Sequence, residues 1–188
     1  MTDKSPVTVP AYVGLDISLT GTGFSVKRGS ELQIETVKTT PKTHPNDLER
    51  LQYIRGRLME LVPNDTRMVC VEDFFVPRKA SQMGAAKGLI MAGTLVRVAL
   101  FERGLPFYVV SPGQLKKFAT GKGNGPKSIV VREVYKRWGV DAKDDNQADA
   151  CVLAHIAEAI HLQPDFDLHK YQQEVVDKVV EESLSYNI

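Results

Sequence analysis

Three strand-like runs come before any helical periodicity in this chain, and that order constrains the fold more than any other feature. Tyr12 to Ser18 and Thr22 to Lys27 read as strands, joined at Leu19-Thr20-Gly21 by a tight turn of the hairpin kind. Leu32 to Thr39 alternates polar and apolar residues and adds a third strand. Beyond it, strands alternate with helices. Asn46 or Asp47 caps a helix whose apolar residues Leu48, Leu51, Ile54, Leu58 and Leu61 recur at helical spacing. A strand over 67–72 follows the break at Pro63-Asn64-Asp65. A long helix runs from Ala80 to about Arg103 and stops at Gly104, a C-cap. Pro106 to Val110 is a short strand, and Ser111-Pro112 opens a short helix through Leu115 and Phe118. A glycine-rich loop, Thr120 to Pro126, leads to helices over Lys127–Trp138 and Asn146–Leu162. The pattern predicts an α/β fold in which helices flank a mixed sheet.

A chain of 188 residues can bury one substantial core. With 43% hydrophobic and 25% charged residues it has the composition of a globular domain. Its net charge of +1 excludes a global attraction to nucleic acid or membrane, so any basic surface must be local. No apolar run is long enough to span a bilayer, and the first residues carry no hydrophobic signal core. Cys70 falls in a predicted strand and Cys151 in a predicted helix, without metal-type spacing. Buried free thiols and a cytoplasmic setting are expected. Residues 1–10 read as a disordered leader, 11–162 as the domain, and 163–188 as a C-terminal helical tail, acidic and set off by Pro164.

Three acids sit at the ends of buried elements. Asp16 closes the run Ala11-Tyr12-Val13-Gly14-Leu15, and Glu72 closes Met68-Val69-Cys70-Val71. Asp149 opens the helical stretch Ala148-Asp149-Ala150-Cys151-Val152. Taken singly, they read equally as a turn cap, a surface acid and a first-turn aspartate favoured by the helix dipole. Together they suggest a different reason for placing carboxylates beside a core. An unpaired buried charge is costly, and coordination of a hard divalent cation by oxygen ligands offsets that cost.

Asp16 in its strand-turn-strand setting, Val71-Glu72-Asp73-Phe74-Phe75 and Asn146-Gln147-Ala148-Asp149-Ala150 resemble the RuvC-type Holliday-junction resolvases of the ribonuclease H-like superfamily. The resemblance spans about residues 11–162. It also takes in the long alanine- and glycine-rich helix, Leu105-Pro106-Phe107, Gln114-Leu115-Lys116 and Gly125-Pro126-Lys127-Ser128. It implies a ribonuclease H-like fold with a mixed five-stranded sheet. The implied activity is metal-dependent, structure-selective DNA cleavage, resolving four-way junctions by paired phosphodiester hydrolysis that leaves 5′-phosphates. Two Mg²⁺ or Mn²⁺ ions about 4 Å apart would be held by Asp16, Glu72 and Asp149, with Asp16 bridging. The family's fourth metal position, usually aspartate or histidine, is Asn146 here; its carbonyl oxygen, or Asp145 one turn before Asp149, is the candidate fourth group. Lys116 and Lys127 match two lysines near the scissile phosphate. Phe75 matches an aromatic that stacks on an unpaired base, with Phe74 as its alternative. Cleavage of forks, flaps or RNA–DNA hybrids, or non-catalytic junction binding, are the competing functions.

Basic residues concentrate between 111 and 138, at Lys116, Lys117, Lys122, Lys127, Arg132, Lys136 and Arg137. Such runs are usually solvated helix faces; beside a site that must accept a phosphate backbone, DNA contact is favoured. Gly121 to Ser128 nearly spells a P-loop, but Pro126 occupies the second glycine position and has no N–H to offer phosphate, which excludes a nucleotide cofactor. His44, His155, His161 and His169 form no ligand grouping and read as surface residues. Gly84, Gly88, Ala92 and Gly93 would let another helix approach the 80–103 helix closely, either within the monomer or across a two-fold homodimer. The family resemblance favours the dimer.

Overall fold

The computed structural model describes residues 9–74, 80–163 and 167–185, with the side chains of 80–85, 127 and 184–185 outside that description. Strands β1 (Ala11–Asp16), β2 (Gly21–Arg28) and β3 (Glu31–Lys38) form an antiparallel meander. Helix α1 (Asp47–Leu61) crosses to β4 (Thr66–Glu72), which lies parallel to β1. Helix α2 (Ala80–Glu102) crosses to β5 (Phe107–Val110), parallel to β4. The sheet order is β3-β2-β1-β4-β5, the mixed five-stranded arrangement expected. Four helices follow: α3 (Pro112–Thr120), α4 (Lys127–Trp138), α5 (Asp145–Leu162) and α6 (Lys170–Ser185). No helix among the described residues is long and apolar enough to cross a membrane.

Strand alternation divides the interior into two cores. Ala11, Val13 and Leu15 of β1, with Val69 and Val71 of β4, pack against α1 and α2. Tyr12, Met68 and Cys70 point the other way, into a core shared with α3, α4, α5 and α6. Gly14, Asp16 and Glu72 lie on this second face by the same period of two.

Two helix starts are capped where the sequence places them. Asn46 accepts from the Glu49 N–H at the start of α1, and Ser111 with Gln114 forms a capping box on α3. Gly121, with φ of 80°, ends α3 in the left-handed conformation that glycine adopts without steric cost. Helix α6 is part of the same packing unit. Val175, Val176 and Val179 are buried in the second core, each worth about 1.5–3 kcal/mol of apolar burial.

Two expectations change. The β1–β2 connection is wider than a tight turn, because Asp16 pairs with Gly23. Ser18 holds it together: its Oγ accepts from the Gly21 N–H at 3.0 Å and its carbonyl accepts from the Thr22 hydroxyl at 2.7 Å. The small residues of α2 serve contacts within the monomer. A Cβ on Gly88 would stand 2.7 Å from Leu19, one on Gly93 would stand 2.6 Å from the Phe74 ring, and Ala92 is in the first core. Gly84 is among the side-chain positions outside the description. The outward face of α2 carries Val98 and Phe101 instead, 45% and 73% exposed.

Candidate active site

Backbone register brings the first two acids together. Leu15 of β1 pairs with Val71 of β4, so the next residues along these parallel strands are Asp16 and Glu72. Both leave the carboxyl ends of adjacent strands on one face.

The third acid arrives with α5. Asp144 caps that helix, accepting from the Gln147 N–H at 2.8 Å and from the Thr36 hydroxyl of β3 at 3.1 Å. Gln147 returns a 3.0 Å bond to Thr36, so the helix start is tied to the sheet. The helix then lies directly on strand backbone. A Cβ on Gly14 would stand 2.0 Å from the Ala150 carbonyl oxygen, and one on Gly23 would stand 2.0 Å from that of Asn146. Only the absence of a side chain at both positions lets α5 come this close. Asp149, between these contacts, therefore reaches Asp16.

The result is a cluster in which one oxygen from each of Asp16, Glu72 and Asp149 lies within 4.8 Å of the other two. Asp16 is 7% exposed and Asp149 9%. The acids open onto a cavity of about 290 Å³, also lined by Asn146, Lys116 and Phe74. An all-oxygen donor set suits a hard cation such as Mg²⁺ or Mn²⁺ better than zinc or copper. Three carboxylates this close repel one another, and a divalent cation removes that repulsion.

The other expected site residues fall into distinct places. Asn146 lines the cavity, whereas Asp145, the first residue of α5, is outside the acid cluster. Lys116 on α3 lines the cavity, and its Nζ donates to the Gly125 carbonyl at 3.3 Å. Lys117 faces α6 and pairs with Glu174 at 2.7 Å, which holds the Glu174 carboxyl below its ordinary pKa. Lys122 is exposed in the glycine-rich loop, and Arg132 on α4 contacts Glu133 at 3.3 Å. Lys127 begins α4. Phe74 rests on Gly93, with the Arg97 guanidinium 4.4 Å from its ring centre. Phe75 lies outside the described residues.

Sequence reasoning missed two arginines at this end of the sheet. Buried Arg50 donates to the Leu19 carbonyl at 3.0 Å, pinning the loop after Asp16. Arg97 grips the exit of β4. Neither announces itself in sequence, because an arginine at helical spacing ordinarily marks a solvated face. The histidine reading is also corrected: His155 is buried, stacked on Trp138 with ring centres 3.9 Å apart. Burial pushes its pKa down to about 4 and that of neighbouring Cys151 up to about 12. Cys70 and Cys151 are both free and buried, as expected.

Comparison with known proteins agrees with this geometry. The family model for crossover junction endodeoxyribonuclease RuvC matches residues 12–157. The crossover junction endodeoxyribonuclease RuvC of Thermus thermophilus is 29% identical over 155 residues, covering 75% of this chain and 89% of the relative. That of Alkalilimnicola ehrlichii is 28% identical over 160 residues, covering 80% and 93%. The solved T. thermophilus RuvC structure superposes with a TM-score of 0.60 at 28% identity, covering 77% of this chain and 90% of that one. T. thermophilus RuvC in complex with Holliday junction substrate gives 0.62 at 26% identity, with the same coverage. Helix α6 lies beyond the residues the family model matches.

Proposed function

The chain belongs to the crossover junction endodeoxyribonuclease RuvC family, and from that membership we infer a structure-selective DNA endonuclease that resolves Holliday junctions at the acidic cavity. The observation that carries this reading is the convergence of Asp16, Glu72 and Asp149 within 4.8 Å beside Lys116. Three acids grouped this closely argue for catalysis and against a junction-binding protein with a degraded site.

Asp16, Glu72 and Asp149 would hold Mg²⁺ or Mn²⁺, two ions in this reading, with the Asn146 carbonyl as a neutral fourth group. When bound, the cations supply charge neutralisation at the phosphate and a lowered pKa for the attacking water. Water attacks phosphorus in line, the bond from phosphorus to the 3′ oxygen breaks, and the products are a 3′-hydroxyl and a 5′-phosphate. Lys116 lines the cavity, where its amine can meet the scissile phosphate, and the family resemblance gives Lys127 the second such role. Lys122 and Arg132 continue the contact along the backbone. Lys117 is engaged by Glu174 and adds little until that pair opens. With Phe74 seated under Arg97, base stacking at the crossover falls to Phe75.

Two cuts in one junction call for two sites. A homodimer about a two-fold axis meets that need, and the exposed α2 face at Val98 and Phe101 is the surface for it. Buried free thiols suit a reducing, cytoplasmic setting. The test is cleavage of a four-way junction, a fork, a flap and an RNA–DNA hybrid side by side in Mg²⁺. Symmetric nicking of the junction well above the rest is expected; equal or greater cutting of another substrate would contradict the assignment.

A further inference from the structure

One long side chain organises the point where β4 leaves the sheet. Nη2 of Arg97, on α2, donates to the Glu72 carbonyl at 3.4 Å and to Asp73 Oδ1 at 3.0 Å. The same guanidinium covers the ring of Phe74, 4.4 Å from its centre. Three consecutive residues are thus gripped from one helix. Other contacts close the turn around them. Asp73 Oδ1 also accepts from the Phe74 N–H at 3.0 Å, and the Asp73 N–H donates to the Val110 carbonyl of β5 at 2.8 Å. The Phe74 ring also sits on Gly93, one turn before Arg97 on α2, where an added Cβ would come within 2.6 Å.

These contacts have little worth as a surface ion pair, because the Asp73 side chain is nearly half exposed. Their effect is geometric. A planar guanidinium can donate in its plane and stack through its face at once, which an ammonium cannot do. Glu72 is the last residue of β4 and pairs with Val110 of β5; past it the backbone is held by the Asp73–Val110 bond and by the turn that Arg97 grips. Groups that orient a ligating carboxylate commonly set metal affinity as strongly as they set rate.

The geometry points to Arg97 as a positioning residue for Glu72: it locks the exit of β4 so that the Glu72 carboxylate stays within ligating distance of Asp16 and Asp149. This rests on reading the three acids as the cation site. Without Arg97 the chain should fold but hold its cation poorly.

The test is calorimetric titration of the full chain with Mn²⁺ in the absence of DNA, alongside junction cleavage kinetics. Arg97→Met should keep the melting temperature, weaken Mn²⁺ binding about tenfold, and lower kcat while leaving KM for the junction within about twofold. Arg97→Lys should recover only part of the loss. Wild-type Mn²⁺ affinity in Arg97→Met would overturn the assignment. If Arg97→Met fails to fold, Asp73→Asn and Arg97→Lys carry the test, and wild-type affinity in both would overturn it. A wild-type chain that binds Mn²⁺ through Asp16 but cuts no junction would remove the resolvase reading and leave Arg97 in its role. A wild-type chain that binds no Mn²⁺ would remove both.

Discussion

Asp16 and Glu72 stand one residue beyond the paired Leu15 and Val71, at the carboxyl ends of adjacent parallel strands and on the same face of the sheet. That relationship needs no long-range search by the side chains. Once β1 and β4 pair in register, the two carboxylates are neighbours by the two-residue period of a strand. The third acid is different, because Asp149 depends on how closely α5 can settle.

Gly14 decides that approach. Gly14→Ala would drive a Cβ to within 2.0 Å of the Ala150 carbonyl oxygen, part of helix backbone that cannot rotate away. We expect a loss of about 2–3 kcal/mol in urea denaturation, together with a fall in cleavage as Asp149 moves off the cluster. Wild-type stability in this variant would mean that α5 does not lie on β1 as described.

Neighbouring lysines on α3 should behave differently. Lys116→Ala removes a cation from the cavity, so cleavage should fall, and the slope of log binding constant against log salt should shrink by about 0.9. Glu174→Gln releases Lys117 from its 2.7 Å ion pair, so junction affinity should rise and the slope should steepen by a similar amount. Binding measured across a salt series reads both. An unchanged slope in Lys116→Ala would return that residue to an ordinary solvated face.

The outward face of α2 should be the subunit contact. Phe101→Asp, at a position 73% exposed, should leave the fold intact and shift a dimer to monomer in sedimentation. A wild-type chain that sediments as a monomer at micromolar concentration would contradict the paired-site reading.

His155 gives the pH dependence of stability a defined window. Its Nδ1–H donates to the Cys151 carbonyl at 2.9 Å, and burial holds its pKa down to about 4 from 6.5. Above pH 6.5 the ring is neutral in both states, and the stability it contributes is fully present. As pH falls from 6.5 to 4 the unfolded chain binds a proton that the folded chain refuses, so stability declines across that interval. The full loss is about 3 kcal/mol. Urea denaturation at both ends of the window should show that His155→Gln flattens this decline, and an identical decline in the variant would remove His155 as its source.

Much of this was legible in the sequence because it depends on local period. Alternation marked the strands, helical spacing marked the helices, and acids at Asp16, Glu72 and Asp149 stood out by closing or opening apolar runs. What escaped depends on where a long side chain or a bare backbone meets a distant element. Nothing in the stretch around Arg97 reveals that its guanidinium reaches Glu72, Asp73 and Phe74 across a helix–strand crossover. Gly88 and Gly93 read as a helix–helix seam, since a small residue shows that something approaches without showing what. In α6 the valine spacing predicted a helix, while its docking against α3 follows from Lys117–Glu174 and Gln114–Glu182 contacts that sequence cannot pair.

The three converging acids are proposed to hold the cation that cuts DNA. Asp16→Asn is the sharpest probe, because it exchanges one carboxylate oxygen for an amide of nearly the same shape at the best-buried member of the cluster. Cleavage of a synthetic four-way junction in Mg²⁺ should fall to background while junction binding in Ca²⁺ matches the wild type. Cutting by Asp16→Asn at the wild-type rate would mean that the acid cluster is not where DNA is cleaved.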